Sequence, residues 1–351
     1  MEKAQVATAL APVERLCNAP VENRMHRLAS RDTPRAGLHS WRSPLILRWL
    51  CVLVLAHSAT AETAETRELP KPPATPSASA RTAVTNNPWG RIVMVGASVS
   101  AGFVASEPLG GPTTSQHRLS RYVDAALLVP HEPVQNLASS LFFVQPEAVG
   151  AQQIEAGVKA QPSLVLGIDF LFWFCYGEGS TDAERLQRFE KGLKMLEAFK
   201  CPLVLGDIPD ASAAVNGMLR PDQIPSGKAM AAANQRLKEW AATRPQTGVL
   251  PLSAFMRTVV ANQSLSVHGY TLPEGKTRIL LQDDKLHPSP PGCAVIALAA
   301  LDAFQATRPA GPDAAGIRWD PKEIFRRVAN PPPGPAMKPS QPAAPTAPAP
   351  K

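Results

Sequence analysis

Short runs of apolar residues alternate with longer amphipathic stretches between residues 89 and 308. The short runs are rich in Val, Ile and Leu, and they predict strands over 91–95, 133–137, 164–166, 202–206 and 248–252. The stretches between them predict helices over 116–128, 148–160, 181–199, 227–243 and 291–307. Strands that alternate with helices along a chain form a parallel sheet with helices on both faces. The pattern therefore predicts an α/β fold with about five parallel strands.

The N-terminal part of the chain lacks this alternation and has the character of a targeting segment. Residues 44–56 form an apolar run behind an arginine-rich stretch, and residues 59–61 read Ala-Thr-Ala, which suits signal peptidase. We expect residues 1–61 to be a signal peptide, with Met25 as an alternative start, and the mature protein to be exported. An uncleaved membrane anchor is the competing interpretation, although the run is short for a full span.

Two segments around the predicted domain are rich in Pro, Ala, Ser and Thr. Residues 62–88 lack periodic apolar positions, so we expect a disordered linker there. Residues 309–351 are predicted to be a C-terminal extension that ends in a Pro-rich disordered tail from residue 331. Such a tail can dock a partner, whereas a solvated, extended tail is the simpler expectation.

Charge and cysteine content exclude several classes of function. The net charge of +7 belongs largely to the N-terminal segment, since 28 basic and 25 acidic residues follow residue 61. No Lys/Arg cluster interleaved with aromatics occurs in that part, so we expect no nucleic-acid partner. Its cysteines, Cys175, Cys201 and Cys293, are widely spaced, which predicts neither a zinc site nor a disulfide framework. One disulfide stays open for an oxidising compartment; we expect no metal and no cofactor.

Residues 96–102 read Gly-Ala-Ser-Val-Ser-Ala-Gly and follow directly on the first predicted strand. Ligands of an open parallel sheet bind beyond the carboxyl ends of its strands, which places Ser98 as a candidate nucleophile. Its hydroxyl would lie near a helix N-terminus, where free main-chain N–H groups can stabilise an oxyanion. A tight turn with Ser98 as a helix N-cap is an equally good interpretation of this segment alone.

A second motif lies near the C-terminus, where residues 282–292 read Gln-Asp-Asp-Lys-Leu-His-Pro-Ser-Pro-Pro-Gly before an apolar helix. Asp284 precedes His287 by three residues, so its carboxylate can accept one imidazole N–H while the other ring nitrogen faces a serine. The carboxylate would fix the tautomer and stabilise the imidazolium that forms when His287 takes the proton of Ser98. Asp284 and His287 are therefore the candidate acid and base, although a His-Pro pair taken alone is usually structural.

In this order and at opposite ends of an α/β domain, the two motifs resemble those of the SGNH/GDSL hydrolase family. The resemblance covers about residues 89–308 and includes the segments 205–210 and 234–240. It implies a flavodoxin-like, three-layer α/β/α sandwich, no metal, and ester hydrolysis through an acyl-enzyme on Ser98.

The chain departs from the family pattern at three places. Ala97 stands where the family commonly has an Asp that braces the loop. The family's second block supplies a Gly N–H to the oxyanion hole; here Ser139 or Ser140 would supply it, together with the main-chain N–H of Ser98. The third block normally supplies an Asn donor, whereas this chain has Asp169, which cannot donate when ionised. Asp169 could brace the Ser98 loop or serve a purely structural role such as capping main-chain N–H groups.

These observations predict an exported serine hydrolase, periplasmic or extracellular, that cleaves an acyl or acetyl ester of a small molecule or polysaccharide; carbohydrate and lipid esters both stay open as substrates. The α/β-hydrolase motif Gly-x-Ser-x-Gly is excluded because residue 100 is Ser. The first alternative is a catalytically degenerate envelope binding protein, which the missing Asn favours and the intact Ser, Asp and His set disfavours. The second is an anchored interaction protein that works through its Pro-rich tail. We expect a monomer that contacts the membrane only through its N-terminal segment.

Overall fold

The structure is a computed structural model that describes residues 87–108, 110–177, 181–308 and 316–330. The predicted signal peptide, most of the predicted linker and the Pro-rich tail lie outside these residues. Within the described ranges, no helix combines the length and the apolar character that crossing a membrane requires.

Five parallel strands form the central sheet in the order β2-β1-β3-β4-β5. This order is flavodoxin-like, and it confirms the predicted fold class and the predicted number of strands. The strands are β1 (Ile92–Met94), β2 (Gln135–Asn136), β3 (Leu164–Gly167), β4 (Leu203–Gly206) and β5 (Thr247–Leu250). β2 lies on one side of β1, and β3, β4 and β5 lie on the other, so the order in which strands are added reverses beside β1. Ligands of such sheets bind in the crevice at this point, beyond the carboxyl ends of the strands.

Helices cover both faces of the sheet and complete a three-layer sandwich. They are α1 (Ser98–Ala101), α2 (Leu119–Ala126), α3 (Pro146–Lys159), α4 (Phe172–Cys175), α5 (Asp182–Leu196), α6 (Gly227–Ala242), α7 (Leu252–Val260), α8 (Pro290–Gln305) and α9 (Pro321–Ala329). Alternate residues of a strand point to opposite faces, so Ile92 and Met94 join a core with α2, α7, α8 and α9. Val93 and Val95 join the second core, with α3, α4, α5 and α6.

The sequence did not predict helices α4, α7 and α9 or a small hairpin. Helix α7 is rich in Val, Thr and Phe, which have modest helix propensity, and packing of its buried apolar face supports the helix. A small hairpin, β6 (Leu265–Val267) with β7 (Tyr270–Leu272), follows it. Helix α9 lies within the predicted extension, and Ile324 and Val328 bury their side chains in the first core. Asp320 caps α9 just before a proline, a start signal that the sequence does carry.

A substitution at Gly206, at the end of β4, tests how closely the strand ends pack beneath the crevice. A Cβ atom there would lie 2.1 Å from the carbonyl oxygen of Ile168 and 2.5 Å from a methyl carbon of Leu252. Gly206→Ala should therefore lower the free energy of unfolding by about 1–3 kcal/mol in urea denaturation, because the backbone must shift. Gly227→Ala is the matched control, since open space surrounds Gly227 and Ala favours a helix. Equal stability of the two variants would contradict the close packing.

Candidate active site

Ser98 is the first residue of a one-turn helix that begins just beyond β1. The chain turns at Gly96, whose φ of 150° lies in the range that L side chains rarely adopt, and α1 ends at Gly102, which is left-handed with a φ of 89°. A Cβ at Gly96 would also lie 2.2 Å from an oxygen of Asp169. The glycines at both ends of the segment therefore let a very tight turn present Ser98 at the crevice.

The structure brings Ser98, His287 and Asp284 together in a hydrogen-bonded chain. Ser98 Oγ lies 2.8 Å from His287 Nε2, and His287 Nδ1 lies 2.7 Å from Asp284 Oδ2. The other carboxylate oxygen of Asp284 accepts the main-chain N–H groups of Leu286 and His287, both at 2.9 Å. His287 is only 2% exposed, so the imidazole is shielded from water and held from both ring nitrogens.

The loop that carries Asp284 and His287 is fixed to the rest of the site. Gln282 donates from its side-chain amide to the carbonyl oxygens of Phe103 and Pro288, at 2.8 and 3.0 Å. The Phe103 ring lies against the imidazole of His287, with 4.4 Å between the ring centroids. These contacts connect the segment after α1 to the segment before α8, which are far apart in the sequence.

The electrostatics of the loop keep Asp284 ionised. Burial raises the pKa of its carboxyl, but the hydrogen bonds and charge of His287 and the N–H of Leu286 together bring the pKa below its usual value. An ionised Asp284 accepts the proton on His287 Nδ1 and so favours the tautomer in which Nε2 can accept the proton of Ser98.

Asp169 lies beneath the Ser98 segment, where it accepts four hydrogen bonds. Its carboxylate binds the N–H groups of Ala97 at 3.0 Å, Val99 at 2.8 Å and Ser100 at 3.3 Å, and also the Ser100 hydroxyl at 2.6 Å. Ala97 stands at the N-cap of α1 and has no side-chain acceptor of its own. Asp169, from the end of β3, therefore caps α1 in its place.

Burial raises the pKa of the Asp169 carboxyl above its usual value, and the hydrogen bonds from Ser100, Ala97 and Val99 offset part of this rise. Three main-chain N–H groups and one hydroxyl donate hydrogen bonds to the carboxylate oxygens, and such bonds offset the cost of burying a charge. The sequence left two roles open for Asp169: bracing of the Ser98 loop and capping of main-chain N–H groups. The same hydrogen bonds serve both roles here, because the capped N–H groups belong to that loop.

The three main-chain donors considered for an oxyanion hole differ in the structure. The N–H of Ser139 donates to the carbonyl oxygen of Gly96 at 3.1 Å, so this donor is already used. The N–H groups of Ser98 and Ser140 make no hydrogen bond among the described residues. Asn136, an amide in this neighbourhood, donates to the carbonyl oxygen of Ser100. Ser98 and Ser140 are thus the available main-chain donors, and Ser139 is not.

Sequence reasoning missed some of the residues that hold the site. Gln153 on α3 is buried, and its amide both accepts from the N–H of Gly96 and donates to its carbonyl oxygen, at 2.8 and 2.9 Å. Ser100, Phe103 and Gln282 were not singled out either. A polar residue inside an amphipathic pattern gives no sign that it is buried, so the sequence carried no signal for Gln153. Among the described residues, no cluster of His, Cys, Asp and Glu is suited to hold a metal ion.

The role of Asp169 can be tested with Asp169→Asn. An amide has one acceptor oxygen and an NH₂ group, so at least one buried donor of the Ser98 segment would lose its partner. We expect the free energy of unfolding in urea to fall by about 1–3 kcal/mol and the reactivity of Ser98 to fall as well. Ser100→Ala removes only the hydroxyl donor and should cost less. Asp169→Asn with unchanged stability and reactivity would contradict the bracing role.

The ionisation of Asp284 predicts a pH dependence of stability. Its pKa in the fold lies below the ordinary value, so the ionised carboxylate stabilises the fold above about pH 4, and this contribution is lost as the pH falls through the lowered pKa. In urea denaturation, the difference in unfolding free energy between wild type and Asp284→Asn should be largest near neutral pH and shrink below about pH 4. Asp283→Asn, which removes the carboxylate of an exposed neighbouring residue, is the control for the loss of one negative charge. A difference in unfolding free energy between wild type and Asp284→Asn that stays constant from neutral pH to below pH 4 would contradict this prediction.

Several solved structures are similar to this chain. A lipase/acylhydrolase from Enterococcus faecalis has 18% sequence identity and a TM-score of 0.43, over 66% of this chain and 98% of its own. An acetyl xylan esterase from Geobacillus stearothermophilus has 16% identity and a TM-score of 0.41, over 63% and 97%. A GDSL-like lipase from Bacteroides thetaiotaomicron has 13% identity and a TM-score of 0.39, over 65% and 97%.

No protein-family model matches the chain, and no curated protein matches it. The identities and TM-scores of the solved structures are low, and they carry no conclusion about reaction or substrate. The strand order and the two helix layers of the chain itself establish the fold.

Proposed function

We propose that this protein is a serine hydrolase of the SGNH type that cleaves carboxylic esters through an acyl-enzyme on Ser98. The observation that carries the proposal is the hydrogen-bonded chain from Ser98 Oγ through both nitrogens of His287 to the carboxylate of Asp284. A hydroxyl, a buried imidazole and an ionised carboxylate in this order are the parts that activate a serine nucleophile.

In the acylation step, Ser98 Oγ attacks the carbonyl carbon of the ester while its proton moves to His287 Nε2. Asp284 stabilises the imidazolium that results, and the carbonyl oxygen becomes an oxyanion. When the tetrahedral intermediate collapses, the bond between the carbonyl carbon and the alcohol oxygen breaks, and His287 returns the proton to the leaving alcohol. The acyl group then remains bound to Ser98 as an ester.

In the deacylation step, a water molecule attacks the acyl carbon and gives its proton to His287. The second intermediate collapses to the free acid, and the proton returns to Ser98 Oγ, so the site is restored. The free main-chain N–H groups of Ser98 and Ser140 are the donors that we assign to the oxyanion. Asp169 is a positioning residue in this scheme, because it holds the segment that carries Ser98 and contacts no reacting atom.

One observation favours the alternative of a degenerate binding protein. The position where the resembled family has an Asn donor holds Asp169, whose oxygens are turned to the N–H groups of the Ser98 segment. Loss of one oxyanion donor typically slows an enzyme by about 100- to 1000-fold. We therefore expect a slow enzyme; a protein without any Ser98-dependent reactivity would be the binding protein instead.

We further propose that the protein acts after export, on an ester of a small molecule or of a polysaccharide in the periplasm or outside the cell. The support is the apolar run at 44–56 and the Ala-Thr-Ala sequence at 59–61, behind a basic segment. We also propose that the exported protein works as a monomer.

Labelling with a fluorophosphonate probe tests the reactivity of Ser98 directly. Wild-type protein should be labelled covalently, because an activated serine attacks the phosphorus atom, and Ser98→Ala should show no labelling in gel fluorescence and intact mass. Ser140→Ala is the matched control: it removes a nearby hydroxyl but keeps the main-chain N–H, so labelling should persist. Folded wild-type protein that stays unlabelled, or labelling that survives Ser98→Ala, would reject the proposed function.

A further inference from the structure

We propose that the site accepts esters of short acids, with two or three carbon atoms in the acyl group, and rejects longer chains. The inference rests on the proposed function and names the acid part of its substrate. It starts from a small apolar cavity that opens beside Ser98, between the strand ends and helices α7 and α8.

The cavity is suited to an acyl chain by the chemistry of its walls. Ser98 lies on its boundary, and most of the remaining wall is aliphatic or aromatic, with contributions from Phe172, Trp173, Phe255, Met256 and Leu286. Phe172, Phe255 and Met256 are buried, so these walls are part of the packed core rather than mobile surface side chains. An acyl group on Ser98 Oγ that turned into this space would exchange water for apolar contacts.

The size of the cavity sets the length of the chain. Its volume is about 50 Å³. A cavity of about 150 Å³ with apolar walls accommodates benzene, which has six carbon atoms, so a third of that volume corresponds to about two carbons. An acetyl group fits without rearrangement and a propionyl group nearly so, whereas an octanoyl chain would have to displace packed side chains.

Residues of α7 and of the loop after β4 form one part of the cavity wall. Asp207 accepts the N–H of Ser253 at 2.6 Å and its hydroxyl at 2.5 Å, which fixes the start of α7. Met256, one turn further along, lines this cavity and also a second, more open cavity of about 430 Å³. It is the one residue that the walls of these two cavities share, so we expect a shorter side chain here to connect them.

The alcohol part of the ester has a different environment. A more open cleft of about 340 Å³ begins at Phe103, whose ring contacts His287, and its wall includes Glu107, Arg118 and Ser140. The two spaces therefore differ in polarity, and the apolar one beside Ser98 is the place for the acyl chain.

Met256→Ala tests the inference, because it should join the small cavity to the larger one. With full-length wild-type protein, we expect kcat/KM for p-nitrophenyl acetate to exceed that for p-nitrophenyl octanoate by roughly 100-fold. Met256→Ala should reduce this ratio by about tenfold or more, since the longer chain can then extend past α7. Met256→Val shortens the same side chain less and should shift the ratio in the same direction, which covers the case of an Ala variant that does not fold.

Met230→Ala is the matched control, because Met230 lines only the larger cavity. It should leave the acetate-to-octanoate ratio unchanged. A wild-type protein that cleaves octanoate as fast as acetate, with both activities lost in Ser98→Ala, would overturn the chain-length inference and leave the proposed function intact. An unchanged ratio in folded Met256→Ala would also overturn it. If neither ester is cleaved and Ser98 resists the fluorophosphonate, the proposed function and this inference fall together.

Discussion

The buried carboxylate of Asp169 is the interaction on which the site depends. Its two oxygens accept three main-chain N–H groups and one hydroxyl from the segment that carries Ser98. That segment is a single helical turn, too short to be stable alone, and its N-cap residue, Ala97, has no side-chain acceptor. Without a carboxylate from β3, several buried donors would be unpaired and the nucleophile would have no fixed direction.

The position of Asp169 beneath the Ser98 segment also bears on how an oxyanion would be stabilised. An ionised Asp169 has no proton to donate, and both of its oxygens accept bonds from the loop, so in the proposed mechanism main-chain N–H groups would stabilise the oxyanion. Two of these, from Ser98 and Ser140, are free in the described residues, whereas that of Ser139 is held by Gly96. In the proposed mechanism, a well-ordered nucleophile would thus act with few oxyanion donors, and we expect slow hydrolysis from that combination.

The packing of side chains around the cavity beside Ser98 would also limit the size of the substrate's acyl group. Beside the small cavity, α7 is joined to the end of β4 by the hydrogen bonds between Asp207 and Ser253, and Met256 follows one turn along. The strand end at Gly206 packs closely against Ile168 and Leu252. In the proposed mechanism, the core of the fold would limit the length of the acyl chain, and the alcohol part would lie in the more open cleft near Phe103.

The sequence by itself determined the parallel α/β fold, because short apolar runs that alternate with longer amphipathic stretches can be recognised without tertiary information. The sequence also indicated the pair of Asp284 and His287. The two residues are three positions apart in one loop, which is close enough for the carboxylate to contact the imidazole. Only the tertiary structure decided that His287 meets Ser98, 189 residues away in the chain, that Asp169 caps α1, and that Gln153 is buried beneath Gly96. Those contacts depend on the order of strands in the sheet and on burial of polar side chains, neither of which a local pattern records.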